Sequence, residues 1–331
     1  MKGLSYKDAG VDIEEEEKAI EALKDSILFA REGFGAPLKS EFTGLVEFGD
    51  YALSICTDGV GTKLIVADIM EKWDTVGIDC IAMNVNDTIC QGAEPIAFVD
   101  YLAMEKPDPK LTKEIGKGLE KGAELSNMTI IGGETATLSE IINGFDLAGT
   151  ALGFVKKEEI IDGRNVKEGD KIIGLPSSGI HSNGFTLARK IVEKSCYTYH
   201  DKLEMGVIGR ELLKPTEIYV RPIMNVLKNF NIKGMANITG GGLKNLKRIN
   251  PNYRYTIDNP LKPQPLFRFL QEQGNVKDKE MYQTFNMGMG ICLIANKEVS
   301  EDISEELEGK VIGEVKKGKG VVHKEKDLKF T

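Results

Sequence analysis

The sequence predicts an α+β fold, or a mixed α/β fold with antiparallel pieces, divided into two domains. Three observations lead to this prediction. The chain has 331 residues, which is long for a single hydrophobic core. Segments with strand and helix periodicity alternate along both halves. Between the halves, residues 157–170 (KEEIIDGRNVKEGD) are polar and rich in turn formers. We therefore predict domains at residues 1–160 and 161–331.

The first half has a repeating pattern of apolar strands and amphipathic helices. Strands are predicted near residues 45–57, 96–103, 128–132 and 146–156, and helices near 14–31, 77–91 and 110–126. The second of these helices is the clearest, because its apolar residues recur at helical spacing: Ile78, Ile81, Ala82, Val85 and Ile89. Gly92 suits its C-terminus, and Pro95 prevents its continuation.

The second half restarts with a predicted strand at residues 171–175 and then alternates helices and strands. Helices are predicted at 185–194 and 215–229, from the glycine-rich segment 235–242 toward Ile249, and after the proline-rich loop 258–266. Residues 285–295 (FNMGMGICLIA) read as a glycine-kinked strand. No internal repeat of 20 to 50 residues is visible.

Composition excludes several classes of function. The net charge is −8, from 43 basic and 51 acidic residues, and no basic block marks a nucleic-acid partner. The N-terminal segment lacks the apolar core of a signal peptide, and no run of 18 apolar residues occurs, so we expect a cytoplasmic protein without a membrane partner. Five scattered cysteines and three histidines argue against a disulfide framework or a zinc site. Any metal would be a hard, oxygen-bound ion.

The segment DGVGTK (residues 58–63) carries the strongest chemical indication. A strand ending just before it would place Asp58 at the strand end, and Gly59 and Gly61 would let backbone N–H groups approach an anion. Lys63 would add a positive charge, and Asp87, off the apolar stripe of the following helix, could face the same ligand. Taken alone, DGVGTK is equally compatible with a surface turn. Neither a P-loop nor a G-x-G-x-x-G motif is present.

Eight motifs in a fixed order resemble those of one protein family. They are SYKDAGVD (5–12), DGVGTK (58–63), GIDCIAMNVNDTICQGAEP (77–95), GGET (132–135), SSGIHSNG (177–184), KPTEIYV (214–220), ITGGGL (238–243) and TFNMGMG (284–290). The chain thus closely resembles the phosphoribosylformylglycinamidine cyclo-ligases, or aminoimidazole ribonucleotide synthetases, along nearly its whole length. The resemblance implies a homodimer in which two N-terminal sheets form a barrel, and a C-terminal α/β sandwich.

The resemblance also implies a reaction. ATP phosphorylates the formyl amide oxygen of formylglycinamidine ribonucleotide, and the neighbouring amidine nitrogen displaces phosphate to close the imidazole ring. An amide oxygen is a poor leaving group, and phosphorylation makes it a good one. In such reactions the protein mostly positions groups and neutralises charge. The implied cofactors are ATP and Mg²⁺.

Site residues follow from the matched motifs. The metal candidates are Asp58, Asp87 and Glu134. The ATP-binding candidates are Lys7, Asp8, Lys24, Gly59, Gly61, Thr62, Lys63, Asn86 and Thr135. The catalytic candidates are Asp58, Lys63 and His181. The candidates for binding the substrate, including its ribose phosphate, are Ser178, His181, Ser182, Asn183, Asn237, Thr239, Gly240 and Gly241. Lys24 is also compatible with an exposed helix lysine, and Lys7 and Asp8 with a frayed terminus.

Two positions depart from the family pattern. Most members carry His before the ITGGG segment, where this chain has Asn237, which cannot transfer a proton near neutral pH. If the family uses that position as an acid or base, this chain must use His181, water or the substrate itself. After GGETA, residues 137–140 (TLSE) replace the usual Glu-Met-Pro-Gly, so the loop there is expected to differ in shape.

Other functions remain as alternatives. The N-terminal segment lacks the reactive cysteine of selenophosphate synthetases and the histidine of formylglycinamidine synthetases, and the C-terminus lacks the cysteine of hydrogenase-maturation dehydratases. A relative of thiamine-monophosphate kinase is the closest other enzyme, although it is not expected to combine SYKDAGVD with SSGIHSNG. A non-catalytic nucleotide-binding scaffold would fit Asn237, but its mark would be loss of the metal carboxylates, and all three are present.

Overall fold

The computed structural model describes residues 3–10 and 13–331 and contains two large β-sheets packed with helices. The N-terminal part holds helices α1 (Ile13–Ser26), α2 (Lys63–Ile69), α3 (Val76–Ile89) and α4 (Pro109–Ser126). Its strands are β1 (Pro37–Leu38), β2 (Gly44–Phe48), β3 (Tyr51–Gly59), β4 (Glu94–Met104), β5 (Thr129–Thr137) and β6 (Phe145–Lys156).

The C-terminal part holds α5 (Phe185–Lys194), α6 (Ile208–Leu212), α7 (Val220–Val226), α8 (Pro265–Gly274), α9 (Asp278–Thr284) and α10 (Ser300–Glu306). Its strands are β7 (Lys171–Pro176), β8 (Lys202–Leu203), β9 (Gly206–Val207), β10 (Ile232–Asn237), β11 (Tyr253–Ile257), β12 (Met289–Ala295), β13 (Lys310–Lys317), β14 (Gly320–His323) and β15 (Leu328–Phe330). Short 3-10 helices span Lys157–Glu159, Gly242–Arg248 and Lys297–Val299.

The N-terminal sheet has six strands in the order β1-β2-β3-β6-β4-β5, and only the β4–β5 pair is parallel. Side chains alternate along β3, so Ala52, Ser54 and Cys56 are buried beneath α3. We call this side the inner face. The opposite side, which we call the outer face, presents Tyr51 and Ile55.

The outer face is apolar and open. It exposes the large side chains Tyr51, Ile55, Val99 and Tyr101. Register places Phe154 opposite Leu53 and Leu152 opposite Ile55 on the same face, and the rings of Tyr51 and Phe154 lie 5.9 Å apart. The outer face thus carries a row of apolar side chains that are exposed in the single chain.

Helix α3 covers the inner face, and α4 packs against α3 at very close range. A Cβ atom added at Gly77 would lie 2.3 Å from the backbone nitrogen of Leu119, and one at Gly118 would lie 2.7 Å from the carbonyl oxygen of Asp74. Only glycine permits this approach. The N-cap Asp108 accepts from two backbone N–H groups at the start of α4, and Asn127 ends that helix in the left-handed conformation.

The C-terminal sheet has seven strands in the order β10-β12-β7-β13-β11-β14-β15. Every residue of β10 and of β12 is buried, in contrast to the alternation along β3. One hydrophobic cluster runs through both parts of the chain, joining residues of α3 to those of α7 and β10. The two sheets therefore share a continuous core. A separate observation is that no helix in the described part of the chain is long and apolar enough to cross a membrane.

Most predicted elements are confirmed, and the differences have simple causes. The predicted strand at 171–175 and the helix at 185–194 are β7 and α5. The strand region 45–57 is a hairpin, because Gly49 turns the chain with a φ of +64°. The helix near 14–31 ends at Ser26, and the segment from Gly242 toward Ile249 is a 3-10 helix rather than an α-helix.

Two further differences concern the site. Helix α2 was not predicted, since its seven residues are too few for a clear periodicity. The predicted helix 215–229 begins only at Val220, because the residues before it extend across the boundary between the two parts. The predicted boundary between 160 and 161 falls in the link between the sheets and remains a prediction.

Candidate functional site

About half of the predicted site residues lie where the inner face of the N-terminal sheet meets loops of the C-terminal part. Three loops take part, at 177–184, 214–220 and 238–242. The first two loops contact one group of side chains on the N-terminal part, and the end of β10, just before the third loop, contacts another. We call Asp58 and Asp87, together with Arg248, the carboxylate site. We call Lys63, Asp79 and Asn86 the interdomain network.

The carboxylate site joins the two parts of the chain. Asp58 ends β3 on its inner side, and its Oδ1 accepts from the backbone N–H of Gly59 at 2.7 Å. Asp87 lies in the last turns of α3, and its Oδ1 accepts from Nδ2 of Asn237 at 2.9 Å. Asn237 is the last residue of β10, so this hydrogen bond brings a predicted substrate residue to a predicted metal ligand.

The electrostatics of this site favour a cation. Burial raises the pKa of Asp87 to about 6, the charge of Asp58 adds to the increase, and Asn237 and Arg248 oppose it. Burial also raises the pKa of Asp58, against its hydrogen bond from Gly59. Two carboxylates that lose hydration and repel each other are stabilised by a shared cation. The donor set fits Mg²⁺, which is usually held by one or two carboxylates with water and phosphate oxygens.

Arg248 is the nearby positive charge, and the structure fixes its position. Its guanidinium carbon lies 4.0 Å from the ring centroid of Phe42, and Nη2 donates to the carbonyl oxygen of Glu41. Arg248 belongs to the 3-10 helix that follows the 238–242 loop. The sequence analysis did not identify it, since nothing near residue 248 marks a functional segment.

Glu134 lies apart from the other two metal candidates within one chain. It pairs with Tyr101 in the β4–β5 register, which puts it on the outer face, whereas Asp58 is on the inner face. Among the described residues, no group of three or more His, Cys, Asp or Glu side chains could hold a metal ion together. The predicted set of three metal ligands is therefore not assembled by a single chain.

Asp100 is a further carboxylate that the sequence analysis did not single out. Gly149 pairs with Asp58 on one side and with Asp100 on the other, so both carboxylates lie in one row across the inner face. Burial raises the pKa of Asp100. Asp100 could have been recognised from the sequence, because it is a charged residue inside the apolar strand segment IAFVDYLA.

The interdomain network centres on a completely buried ion pair. The side chains of Lys63 and Asp79 have 0% exposure, and Nζ lies 2.8 Å from Oδ1. Nζ also donates to the carbonyl oxygens of His181 at 3.0 Å and Lys214 at 2.8 Å. Oδ1 of Asp79 accepts in addition from the backbone N–H and the hydroxyl of Thr216, both at 2.7 Å. The pair thereby binds two C-terminal loops.

Asn86 holds the 214–220 loop from a position about two helical turns further along α3 than Asp79. Its Oδ1 accepts from the backbone N–H of Tyr219 at 3.1 Å, and its Nδ2 donates to the carbonyl oxygen of Glu217 at 2.7 Å. Asn86 is completely buried. Lys63 and Asn86 are both predicted ATP ligands, yet in this structure they bond to protein, and their predicted role remains a prediction.

The 177–184 loop is held tightly against this network. The hydroxyl of Ser178 donates to the carbonyl oxygen of Pro215 at 2.5 Å, and the hydroxyl oxygens of Ser182 and Thr216 lie 3.2 Å apart. His181 is 2% exposed and has a φ of +60°. Its Nε2 accepts from the backbone N–H of Ser178 at 3.3 Å.

The imidazole of His181 is neutral at physiological pH. Burial, together with the positive charge of Lys63, lowers its pKa to about 3. A histidine in this state accepts a hydrogen bond and is a weak general base. Its predicted role in proton transfer remains a prediction.

The remaining predicted substrate residues form a turn next to this loop. Oδ1 of Asn183 accepts from the backbone N–H of Gly240 at 3.0 Å. Thr239 starts the turn by accepting from the N–H of Gly242 at 2.9 Å, and Gly241 has a φ of +94°. The 177–184 and 238–242 loops thus form one polar surface with exposed backbone at Gly240.

The other predicted ATP ligands are distributed over three places. Asp8 lies beside α5, where Nζ of Lys190 donates to its carbonyl oxygen at 3.0 Å, and Lys7 precedes it at an exposed position. The hydroxyl of Thr62 lies 3.3 Å from that of Thr186 at the start of the same helix. The rest lie elsewhere: Lys24 is exposed in the last turn of α1, Gly59 ends β3 half-buried, Gly61 is exposed before α2, and Thr135 is exposed on β5. Val11 and Asp12 of the SYKDAGVD motif are outside the described residues.

Comparison with known families identifies two matches that follow each other along the chain. The model of "AIR synthase related protein, N-terminal domain" matches residues 41–155, and that of "AIR synthase related protein, C-terminal domain" matches residues 167–326. Two curated relatives named phosphoribosylformylglycinamidine cyclo-ligase, from Methanococcoides burtonii and Methanosarcina mazei, are each 52% identical over 319 residues. These alignments cover 95% of this chain and 95% of each relative.

Solved structures show that the fold is shared more widely. The structure of AaThiL complexed with AMPPCP and TMP has a TM-score of 0.66 at 17% identity and covers 94% of this chain and 93% of AaThiL. The T. maritima PurL complexed with ADP has a TM-score of 0.58 at 15% identity and covers 86% of this chain and 43% of PurL. At these identities the likeness concerns the fold alone.

Proposed function

This chain belongs to the phosphoribosylformylglycinamidine cyclo-ligase family, and we propose from that premise that it converts formylglycinamidine ribonucleotide to aminoimidazole ribonucleotide with ATP. The observation that carries this proposal is 52% identity along 95% of the chain with relatives of that name. The thiamine-monophosphate kinase alternative is disfavoured, since two structures of that name share the fold at only 16 to 17% identity. The scaffold alternative is disfavoured by the intact carboxylate site.

The proposed chemistry has two balanced steps. First, the γ-phosphoryl group moves from ATP to the formyl amide oxygen, which breaks the bond to ADP. Second, the amidine nitrogen attacks the formyl carbon, the bond to the phosphorylated oxygen breaks, and phosphate leaves with that oxygen. One proton is released as the ring becomes aromatic. The protein's task is to hold the two reacting ends and the phosphates in place.

The carboxylate site is where we place the phosphoryl transfer. Asp58 and Asp87 would hold magnesium, which when bound neutralises charge on phosphate oxygens. Arg248 adds positive charge beside them. Asn237 donates to Asp87 and keeps that carboxylate oriented, so in this chain position 237 orients a metal ligand rather than transferring a proton.

The polar loops are where we place the ribonucleotide. The 177–184 and 238–242 loops offer hydroxyls and backbone N–H groups, which suit a ribose phosphate. Ser178, Ser182, Asn183, Thr239, Gly240 and Gly241 are the proposed contacts. Lys7, Asp8, Lys24, Gly59, Gly61, Thr62 and Thr135 are retained as proposed contacts to ATP.

The outer face supports a homodimer as the working form. Its apolar side chains need covering, and a second copy of the same sheet is self-complementary, closing a barrel between two protomers. Glu134 lies on this face, so its proposed role as a metal ligand requires the partner subunit.

Substitution of Ile55 by Asp tests the dimer. Ile55 is 49% exposed on the outer face, and a buried aspartate there would disfavour pairing. Light scattering should show a dimer for the wild type and a monomer for Ile55→Asp. The control is Ile69→Asp, since Ile69 is 43% exposed on α2 and away from the sheet. A monomeric wild type, or a fully active monomer at nanomolar concentration, would contradict a shared active site.

Two further assignments complete the proposal. We place the protein in the cytoplasm, because all five of its cysteines, each within the described residues, are free thiols. We also retain the domain boundary between residues 160 and 161.

The direct test is ADP release by the purified protein, with and without formylglycinamidine ribonucleotide, combined with detection of the imidazole product. Substrate-dependent ADP with an equal amount of imidazole is the expected result. ATP binding without turnover would favour a scaffold. Turnover with thiamine monophosphate alone would favour the kinase.

A further inference from the structure

Lys63 makes contacts that are unusual for a lysine in a nucleotide motif. Its side chain is completely buried, and its three acceptors are Oδ1 of Asp79 and the carbonyl oxygens of His181 and Lys214. An ammonium group has three hydrogens to donate. In this structure each hydrogen has a partner, so none is directed toward solvent or a ligand.

The three partners connect different parts of the molecule. Asp79 lies on α3 of the N-terminal part, whereas His181 and Lys214 lie on two separate C-terminal loops. A buried ammonium loses its hydration, and this loss is offset only when all its hydrogen bonds are well formed. Both loops must therefore keep their carbonyl oxygens in place for the charge to remain buried.

The backbone conformation of His181 indicates what the hydrogen bond from Lys63 does for the 177–184 loop. A φ of +60° lies in the left-handed region, which residues other than glycine adopt uncommonly and mostly where the surrounding structure holds them there. The carbonyl oxygen that Lys63 holds belongs to this same residue. The hydrogen bond thus helps to maintain a strained backbone in the middle of the 177–184 loop, where Ser178, Ser182 and Asn183 are the proposed contacts to the ribonucleotide.

We propose that Lys63 is a positioning residue for the ribonucleotide-binding loop, acting through the carbonyl oxygens of His181 and Lys214, and that it is not a ligand of the ATP phosphates. Asp79 is its partner, and Thr216 fixes Asp79 from the other side. This inference depends on the proposed function, because it assigns the 177–184 loop to the ribonucleotide. It reassigns a lysine that the motif DGVGTK alone would place on a phosphate.

The two roles for Lys63 predict opposite changes in binding. The test variant is the double substitution Lys63→Met/Asp79→Leu, since replacing both members of a buried ion pair by apolar residues of similar size usually preserves the fold. MgATP affinity is measured by calorimetry without the second substrate. The ribonucleotide is followed by calorimetry and by its KM.

A positioning role predicts that the double variant binds MgATP within threefold of the wild type, while its Kd and KM for the ribonucleotide rise at least tenfold. The matched control is Lys72→Met, because Lys72 forms an ion pair with Asp74 just after α2 but is 38% exposed. That control should change neither constant by more than twofold.

A second variant gives the same information without altering the ion pair. Thr216→Val removes the hydroxyl that donates to Asp79 at 2.7 Å and preserves the shape of the side chain. We expect its ribonucleotide KM to rise about threefold to tenfold, with MgATP affinity unchanged.

Several results would overturn the inference. MgATP affinity that falls tenfold in the double variant, with unchanged ribonucleotide binding, would make Lys63 a phosphate ligand. Unchanged binding of both substrates in both variants would make the pair a packing feature only. A wild-type protein that neither binds nor cyclises the ribonucleotide would instead refute the proposed function, and the inference with it.

Discussion

The carboxylate site and the interdomain network both contain buried or partly buried charged side chains, but these side chains differ in how many protein partners they have. Lys63 and Asp79 have no exposure, and every hydrogen of the ammonium group is bonded to protein. Asp58 and Asp87 have raised pKa values because they lose hydration without a full set of partners. The ammonium of Lys63, whose three hydrogens are all bonded to protein, joins the two parts of the chain, whereas the incompletely compensated carboxylates of Asp58 and Asp87 are available to a ligand.

The difference arises within one six-residue motif. Asp58 is the penultimate residue of β3, and Lys63 is the first residue of α2. The turn between them, with Gly61 at a φ of +69°, sends the two side chains into different surroundings. The DGVGTK motif alone does not show which of its charged residues contacts a ligand. That depends on where the strand ends and the helix begins, which separates Asp58 from Lys63.

Removing one member of the buried Lys63–Asp79 pair should have the largest effect on stability. We expect Asp79→Ala to lower the free energy of unfolding by about 3–5 kcal/mol, because it leaves the ammonium of Lys63 buried without its counter-charge. Urea unfolding measures the loss. Asp74→Ala is the control, since Asp74 is 42% exposed and should change stability by less than about 1 kcal/mol. Equal losses in the two variants would show that burial of the pair is energetically unimportant.

A substitution in the carboxylate site should lower activity without lowering stability. Asp58→Asn is expected to lower kcat by about 100-fold to 1000-fold, through loss of charge where magnesium and phosphate meet. Its stability should equal or exceed that of the wild type, because a partly dehydrated charge is removed. Steady-state kinetics and urea unfolding measure both quantities, with the exposed turn residue Asp50→Asn as control. Normal turnover would exclude Asp58 from the metal site.

The smallest expected effect is the change in stability with pH that His181 causes in the interdomain region. The pKa of His181 is lowered to about 3 in the folded protein, against about 6.5 when unfolded. The unfolded state therefore binds the extra proton as pH falls below 6.5, and stability is lost. Between pH 7 and pH 5 this loss amounts to about 2 kcal/mol.

His181→Asn should remove that part of the pH dependence, and asparagine tolerates a positive φ. The measurement is the difference in unfolding free energy between pH 7 and pH 5 for each protein, so that any constant cost of the substitution cancels. His323 remains in both proteins as a common background. An identical difference in wild type and variant would mean that folding does not lower the pKa of His181.

The regular elements were predictable where periodicity is long. Helix α5 and strand β7 were found with nearly their observed bounds, and the family resemblance is confirmed by the curated relatives. Helix α2 was missed because its seven residues are too few for a clear periodicity. The late start of α7 was missed because the residues before it bond to the N-terminal part of the chain.

The site was predictable only in part. Asp58, Asp87 and Asn237 were identified individually, and the structure brings them together. The roles of Asp79 and Arg248 depend on contacts between residues far apart in sequence, such as the hydrogen bond from Thr216 to Asp79. A buried carboxylate on a helix and an exposed one look alike in a single sequence, so the distinction between the two regions required the fold.

The central claim is that phosphoryl transfer activates the formyl oxygen at the carboxylate site. It is tested most directly with substrate that carries oxygen-18 in the formyl group only. After turnover with ATP, mass spectrometry of the released phosphate should find one oxygen-18 atom for each imidazole formed. Label that appears in water, with unlabelled phosphate, would show that ATP cleavage and ring closure are separate events and would contradict the mechanism.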